Sequence, residues 1–249
     1  MTNNLLNKNE ALKNTDFHKN LHTKAEKFLK QKQYKSAVVP YLNSMLLNKK
    51  NIKTYIGISK AYKGLKEYDK AVKYLLMAME LNDANFEVYY ELGINYLLCA
   101  KPYLAVDCFK KAIKLNPKNL NAQIQLAIAH ELLDEPEMSL MIYDKIIEEK
   151  PEFILCYNHK AGLYMQLNQF EEAARVFKQI LKIDPGYFRA NLGLGICFDK
   201  LKRQHFAVRY YKKYIAKKPN SDTTRALVGR IVEIYSKKPD TKRRLRVVS

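Results

Sequence analysis

Two histidines, His18 and His22, are the first residues whose types and spacing could support chemistry. Side chains at i and i+4 share one face of a helix, and imidazole nitrogens are good ligands for divalent metals. A stable zinc site needs three or four ligands, however, and the segment around this pair is rich in lysine. We therefore predict that both histidines lie on the surface and that they hold no metal.

An acidic run near the middle of the chain is the second candidate, formed by Glu131, Asp134, Glu135 and Glu137. Such a run is more often a solvated edge between two helices than a pair of catalytic carboxylates. The sequence has no G-x-S-x-G nucleophile motif, no phosphate-binding loop and no H-E-x-x-H zinc motif. We predict that the chain is not an enzyme, uses no cofactor and has no small-molecule substrate.

The composition is that of a folded protein, because 47% of the 249 residues are hydrophobic. The first twenty residues lack the apolar run of a signal peptide, and no later stretch reaches the roughly 18 apolar residues of a membrane span. We therefore expect a cytoplasmic protein. The cysteines are scattered without a C-x-x-C motif, which favours reduced thiols over a disulfide framework: Cys99, Cys108, Cys156 and Cys197.

The sequence repeats itself every 34 residues, and four columns of the repeat show it. One column holds only small side chains: Ala25, Ser59, Gly93, Ala127, Ala161 and Gly195. Three positions later every residue carries a ring: Phe28, Tyr62, Tyr96, His130, Tyr164 and Phe198. Nine positions further on comes a second small column: Ala37, Ala71, Ala105, Ser139, Ala173 and Ala207. Four positions beyond it the column is large and apolar: Tyr41, Leu75, Phe109, Tyr143, Phe177 and Tyr211. No insertion breaks the register, so we predict a tandem array of six repeats.

Each repeat is predicted to be a pair of helices, because apolar residues recur at helical spacing in each half. In the third repeat, for example, Ala105, Phe109 and Ala112 share one face of the second helix. Pro102 and Pro136 fall where a second helix begins, and a proline in the first turn of a helix removes no hydrogen bond. In the third repeat the small residue Gly93 would allow two helices to cross closely.

The pattern resembles the tetratricopeptide repeat, most clearly in the third repeat, residues 86–119. The residues that carry this resemblance are Tyr89, Leu92, Gly93, Tyr96, Ala105, Phe109, Ala112 and Pro117. The resemblance covers residues 18–221 and implies an all-α fold, a superhelical solenoid of antiparallel helix pairs. A polar helix normally caps such an array. In residues 222–237, Val228, Gly229 and Val232 have the spacing of another first helix, and we predict that this segment is the C-terminal capping helix.

The predicted domain organisation follows from the repeat register. It comprises an N-terminal extension (1–17), six repeats (18–51, 52–85, 86–119, 120–153, 154–187 and 188–221), the capping helix (222–237) and a basic tail (238–249).

The resemblance also implies a function, which is to bind a peptide or partner helix in a concave groove lined by the first helices. The groove positions are the second, fifth, sixth, ninth, twelfth and thirteenth of each repeat. The residues we predict to contact a partner there are Tyr90, Glu91, Ile94, Leu97, Ile124, Ile128, Glu131, Asn158, Leu192 and Ile196. Several of them are apolar, which favours an apolar or amphipathic helix. For any single isoleucine, packing between neighbouring first helices is an equally good interpretation.

Two known ligand types of the family do not fit this sequence. One subgroup holds the C-terminal carboxylate of heat-shock chaperones with basic and amide side chains. The matching positions here include three carboxylates, which would repel such a ligand: His22, Glu26, Gly57, Glu87 and Glu91. A second subgroup, resembling the repeat domain of O-GlcNAc transferase, carries an asparagine at the sixth position of successive repeats. That column contains no asparagine here: Thr23, Gly57, Glu91, Gln125, His159 and Gly193.

The net charge of +19 is unevenly distributed, since repeats 1 and 6 are strongly basic and repeat 4 is acidic. Because the repeats are in register and no catalytic motif is present, the predicted function is a non-enzymatic scaffold or adaptor that binds a protein. The alternative is a protein that binds RNA or an acidic membrane surface through its basic terminal repeats and tail, with Lys242, Arg243, Arg244 and Arg246 as tail contacts. A solubilising role for the tail, head-to-tail self-association and a place as a non-catalytic subunit of a larger assembly also remain open.

Overall fold

The computed structural model describes residues 17–236, and every regular element in that part of the chain is an α-helix. The helices are α1 (17–30), α2 (Tyr34–Leu47), α3 (Ile52–Gly64), α4 (Tyr68–Leu81), α5 (Phe86–Leu98), α6 (Pro102–Leu115), α7 (Leu120–Glu131), α8 (Pro136–Glu149), α9 (Ile154–Gln166), α10 (Phe170–Ile183), α11 (Arg189–Lys200), α12 (Gln204–Lys217) and α13 (Asp222–Ser236). The predicted class, an all-α solenoid of tetratricopeptide helix pairs, is confirmed. None of the described helices combines the length and the apolar character needed to cross a bilayer.

The predicted basic tail, with Lys242, Arg243, Arg244 and Arg246, lies outside the described residues, as does most of the N-terminal extension.

The chain divides into two compact bodies. We call Met1–Ile142 the N-terminal body and Tyr143–Ser249 the C-terminal body. Within each body, the buried side chains include the large residues of the second helices, for example Tyr41 and Phe109 in the first and Tyr211 in the second. The core therefore lies between the two helices of a pair and between neighbouring pairs.

Each first helix ends in the same way, through a residue with a positive φ angle. These six residues recur every 34 positions: Lys32, Lys66, Ala100, Asp134, Asn168 and Lys202. In the third repeat the Ala100 N–H donates to Leu97 O at 3.0 Å and the Lys101 N–H donates to Tyr96 O at 2.8 Å. This pair of bonds is the Schellman motif, which satisfies the last carbonyls of the helix and turns the chain toward the second helix.

Asparagine and proline start many of the helices. The side chains of Asn85 and Asn119 accept hydrogen bonds from the Val88 and Ala122 N–H groups, at 3.1 and 3.0 Å, so asparagine caps α5 and α7. Between the two helices of a pair, proline can take this place: α6 begins at Pro102, as the sequence predicted. The helix starts are thus encoded locally.

Glycines allow the large rings of the second helices to approach the first helices. A Cβ built on Gly93 would lie 2.5 Å from Phe109 Cε1, and one on Gly195 would overlap the ring of Tyr211. The close crossing predicted at Gly93 is confirmed, and it recurs at Gly195.

Two further rings pack on glycines at the sixth position of a repeat, and the sequence analysis did not predict this packing. Tyr41 would overlap a Cβ on Gly57, and Phe177 would overlap a Cβ on Gly193. In both cases the glycine belongs to the first helix of the following repeat, while the ring's own repeat carries alanine in the small column. Four of the large rings therefore rest on one glycine each, either in their own repeat or in the next.

The polar residues of repeat 4 are buried but hydrogen-bonded. Gln123 Nε2 donates to Pro117 O at 2.8 Å, and Ser139 Oγ donates to Ala127 O at 2.7 Å. His130 Nδ1 lies 2.6 Å from Glu135 Oε2, and its ring is only 5% exposed, so it packs within the column of rings. Polar atoms that have partners cost little when they are buried, which explains why Gln123, His130 and Ser139 are compatible with the fold.

Candidate partner-binding face

The first helices of the N-terminal body present a common surface, which we call the first-helix face. It is formed by the second, fifth, sixth, ninth, twelfth and thirteenth residues of repeats 1 to 4, which lie on α1, α3, α5 and α7. A depression of about 370 Å³ opens on this face. Its lining residues are Glu26, Leu29, Lys30, Tyr41, Lys53, Ile56, Gly57, Lys60 and Glu87. All of them except Tyr41 occupy positions that the sequence analysis assigned to the groove, although none was among the residues it selected.

Gly57 and Tyr41 form the base of the depression. Tyr41 fills the space in which a side chain at Gly57 would have to stand, so any other residue there would displace the ring. Burial, followed by the nearby Glu26 carboxylate, raises the pKa of Tyr41, which keeps the phenol neutral. The base is therefore an uncharged ring under a glycine.

Charged side chains surround the depression and link α3 to α5. Lys60 Nζ lies 2.7 Å from Glu87 Oε1 and 3.7 Å from Glu91 Oε1, and Lys63 Nζ lies 2.6 Å from Glu91 Oε2. Burial alone would lower the pKa of Lys60, but the hydrogen bond to Glu87 and the charges of both carboxylates outweigh it and raise that pKa. Lys60 therefore stays protonated between the two acids.

Glu91, which the sequence analysis selected as a partner contact, is thus engaged within the body. Its side chain is only 8% exposed and holds two lysines of the preceding first helix. A partner that used Glu91 would have to compete with Lys60 and Lys63 for its carboxylate.

The apolar residues selected for the groove form a shallow strip rather than an open cleft. Tyr90 is half-buried, and its ring centroid lies 5.8 Å from that of Phe86 and 6.1 Å from that of Phe109. Ile94 and Leu97 are half-buried and pack on the same core cluster as Tyr90.

In α7 the selected residues differ in exposure. Ile128 and Glu131 are half-buried and reach the surface in part, whereas Ile124 is 2% exposed and belongs to the core. Ile124 therefore offers almost no surface to a partner, because packing between neighbouring helices covers it.

The C-terminal body holds the other three selected residues. Asn158 Nδ2 donates to the Tyr187 hydroxyl at 2.8 Å, so its amide already has a partner. Leu192 and Ile196 are half-buried and pack on the core of this body. All three remain predicted contacts with partly accessible side chains.

The histidine pair packs against the start of α3. Asn51 Nδ2 lies 3.2 Å from His18 Nε2, and His22 Nδ1 lies 3.2 Å from Thr54 Oγ1. The prediction that both histidines lie on the surface is wrong for His18, which is 6% exposed because α1 docks on α3 through this contact. Burial, together with the charges of His22 and Lys19, lowers the pKa of His18. Among residues 17–236, no group of three or more His, Cys, Asp or Glu side chains is arranged to hold a metal.

The four cysteines are free thiols. Burial raises the pKa of Cys108 to about 11 and that of Cys156 to about 12, so these thiols stay protonated and act as small apolar side chains.

A second depression, of about 610 Å³, lies at the turns of repeats 3 and 4 and was missed by the sequence analysis. Tyr103, Leu104 and Leu132 line it and are 73%, 46% and 60% exposed. The signal was an apolar pair, Tyr103 and Leu104, directly after the proline that starts a second helix, where most other repeats carry at least one charged residue. Exposed apolar residues in a cluster are typical of contact surfaces.

Solved structures with the same architecture are numerous. PilW, a widely conserved type IV pilus biogenesis factor, has a TM-score of 0.70 at 17% identity, covering 85% of this chain and 98% of its own. A tetratricopeptide repeat protein from Parabacteroides merdae has a TM-score of 0.65 at 19% identity, covering 85% and 83%. YrrB, described as a TPR protein with an unusual peptide-binding site, has a TM-score of 0.54 at 20% identity, covering 72% and 93%. At these identities the likeness establishes the fold alone.

No curated protein sequence matches this chain. A family model does, and its description is Intraflagellar transport protein 56. The match extends over residues 53–238, about three quarters of the sequence, and so includes the repeats from the second to the sixth and helix α13. Taken with the repeat columns and the helix pairs, this match shows that the chain belongs to the Intraflagellar transport protein 56 family of tetratricopeptide-repeat proteins.

Proposed function

We propose that this protein is a non-catalytic scaffold that binds a peptide or an amphipathic helix of a partner protein on its first-helix face. The observation that carries the proposal is the depression over Gly57, because it gives this face an open site with an apolar base and charged walls. The likeness in fold to YrrB supports a peptide ligand in general terms. No cofactor and no small-molecule substrate form part of the proposal.

The chemistry of the face indicates what kind of segment fits it. Lys30 and Lys53 are exposed at the rim of the depression, and they lie close to the buried base that Gly57 leaves open. A carboxylate of the partner can pair with these lysines, whereas Lys60 is already held by acids of this chain. The strip that contains Ile94 suits apolar side chains on one face of a partner helix.

A charge-reversal experiment tests the depression. The double variant Lys30→Glu/Lys53→Glu should lower capture of specific partners from an extract of the native organism by about tenfold, measured by quantitative mass spectrometry. A matched control, Lys73→Glu/Lys110→Glu, makes the same charge change on exposed positions of second helices. Equal capture by the two double variants would remove the depression from the proposed site.

The apolar strip needs a separate variant. Ile94→Glu/Ile128→Glu should abolish partner capture, because it places two charges where the partner helix would bury apolar groups. Both isoleucines are half-buried, so circular dichroism and thermal melting must first show that the variant is folded. A folded double variant that captures partners like the wild type contradicts binding at the strip.

A polyanion ligand is the second candidate function, and the surface of α12 favours it. Arg209, Lys212, Lys213 and Lys217 are all exposed on this helix. Asp199, the one acidic residue of the sixth repeat, is already paired with Arg230. The positive charge of this region is therefore available to phosphates.

The salt dependence of binding tests this alternative. Affinity for single-stranded RNA or for vesicles of acidic lipid should fall steeply between about 50 and 200 mM salt, because counterion release drives such binding. Lys212→Glu/Lys217→Glu should reduce both the affinity and the salt slope, while the Lys73→Glu/Lys110→Glu variant serves as the control. Binding that does not change with salt, or no binding at all, would contradict a polyanion ligand.

A further inference from the structure

Helix α13 exposes a row of apolar side chains, of which Tyr235 has Lys212 Nζ 5.9 Å from its ring centroid. Val228, Val232 and Tyr235 are 48%, 61% and 50% exposed. Beside them, a Cβ built on Gly229 would have no atom within 4 Å. The opposite side of the helix is buried at Leu227 and Ile234, so α13 is docked on one face and open on the other.

The open face is the one that a first helix normally turns toward its own second helix. We number positions from the first residue of each 34-residue repeat and continue the register through a seventh repeat that begins at Asp222. Val228, Gly229 and Val232 then fall at positions 7, 8 and 11. In the third repeat Gly93 stands at position 8, and the ring of Phe109 at position 24 covers it. Helix α13 is therefore a first helix whose position-8 glycine has no ring above it.

The residues that follow α13 keep the register of a second helix. Thr241, Leu245 and Val248 fall at positions 20, 24 and 27. In all six repeats the residues at these three positions are buried. Position 24 holds Leu75 in the second repeat, so leucine is a residue that this position already accepts.

The basic residues of the segment fit the same arrangement in part. Arg243 and Arg246 fall at positions 22 and 25, which the sixth repeat fills with the exposed cations Arg209 and Lys212.

Lys242 and Arg244 depart from the pattern, since positions 21 and 23 are half-buried or buried in the six repeats. Long basic side chains can lay their aliphatic stems on an apolar surface and keep the charge in water, which Val232 and Tyr235 would allow. Pro239 falls in the first turn of the expected helix, where proline is tolerated.

We propose that residues 238–249 dock on the open face of α13 as the second helix of a seventh repeat, with Leu245 over Gly229. Docking has a structural requirement. Helix α13 continues to Ser236 at position 15, the position at which each of the six repeats has its residue with a positive φ angle. The last turn of α13 must therefore unwind so that the chain can reverse direction at Ser236.

Hydrogen exchange in the full chain tests the proposal. Leu245→Asp removes the side chain that would cover Gly229, and exchange of the amides in residues 222–236 should accelerate by about tenfold. The matched control is Val247→Asp at position 26, which is exposed in five of the six repeats, and it should leave exchange unchanged. Equal protection of α13 in the wild type and in both variants would overturn the proposal.

A second measurement separates docking of the segment from coverage of α13 by another copy of the chain. Light scattering and hydrogen exchange are recorded together over about a hundredfold range of protein concentration. Protection by the chain's own segment does not depend on concentration. Protection that rises with concentration and with molecular mass, and that Leu245→Asp leaves intact, would show that a second copy covers the face and would overturn the proposal.

Discussion

Arg230 of α13 grips both carboxylate oxygens of Asp199 of α11, with 2.8 Å between Nε and Oδ2 and 2.8 Å between the Nη2 atom and Oδ1. The Tyr211 hydroxyl also donates to Asp199 Oδ2, at 3.3 Å. The paired geometry turns Arg230 toward the array. A two-point bond of this kind fixes orientation as well as distance, so it positions the last described helix.

A double-mutant cycle measures this contact. Asp199→Asn and Arg230→Gln should each destabilise the docking of α13, and the two effects should couple by about 1 kcal/mol because the pair is only partly buried. The free energy of unfolding in urea and hydrogen exchange in residues 222–236 give the two readouts. Strictly additive effects would mean that the pair does not hold α13.

The same contact predicts a response to acid. The hydrogen bonds from Arg230 hold the pKa of Asp199 below its ordinary value of 3.8, against the opposing effect of burial. Because the folded state binds this proton more weakly than the unfolded state, the stabilisation is complete above the ordinary pKa and is lost as the pH falls through the folded pKa. The urea midpoint of the wild type should therefore fall more between about pH 5 and pH 3 than that of Asp199→Asn. Identical pH profiles would contradict this assignment.

His18 predicts a second response, at higher pH. Its pKa is lowered below 6.5 by burial and then by the charges of His22 and Lys19, so the folded state favours the neutral ring. The stability that the neutral His18 ring contributes is therefore complete above pH 6.5, and it is lost as the pH falls from there through the folded pKa. In the wild type the urea midpoint should decrease between about pH 7.5 and pH 5, and His18→Gln should remove the part of this decrease that protonation of His18 causes. An unchanged pH profile in that variant would show that protonation of His18 is not linked to folding.

The helix pairs could be predicted from the sequence because the information that specifies them is local and periodic. The small column that contains Gly93 and the large column that contains Phe109 both recur every 34 residues, and a small residue in one helix leaves room for a large residue of the other. The residues of the candidate site were harder to predict, since their accessibility depends on pairings across repeats. Glu91 is captured by Lys63, which lies 28 residues earlier on a different helix, and no spacing rule within one repeat reveals that reach.

Burial was difficult to predict for a related reason. Ile124 and Ile128 stand four residues apart on α7 and share a helical face, yet one is a core residue and the other reaches the surface. The difference depends on how closely the neighbouring first helix approaches, which side-chain type alone does not determine. The packing of Tyr41 on Gly57 could have been predicted, because the small column holds Ala25 in the first repeat and so offers the Tyr41 ring no glycine there.

The positive φ angle of Ala100 predicts a stabilising substitution. An L-residue in this conformation costs about 1 kcal/mol that glycine does not pay, so Ala100→Gly should raise the free energy of unfolding by up to about 1 kcal/mol. Asn168 occupies the equivalent position, and asparagine tolerates the conformation better, so Asn168→Gly should give a smaller gain. Urea unfolding compares the two variants. A loss of stability in Ala100→Gly would show that the flexibility gained by the unfolded chain outweighs the relief of strain.

The arrangement of rings over glycines predicts a rescue by a second mutation. Gly93→Ala should cost about 1 to 2 kcal/mol, because the new methyl group meets the ring of Phe109. Gln125 stands in the following first helix at the sixth position, which Gly57 occupies in the second repeat. Gln125→Gly alone should cost about 1 kcal/mol of helix propensity.

In the double variant Gly93→Ala/Gln125→Gly the Phe109 ring can move to the new glycine, as Tyr41 rests on Gly57, so the combined loss should be smaller than the sum of the two single losses. Gly162→Ala is the control, because a Cβ there meets no atom within 4 Å and alanine is the better helix former. It should gain up to about 1 kcal/mol. Urea unfolding of the four variants tests this prediction. If the double variant loses as much stability as the two single variants together, the Phe109 ring cannot move from position 93 to the glycine at position 125. Other contacts of each repeat would then determine which glycine a ring packs on.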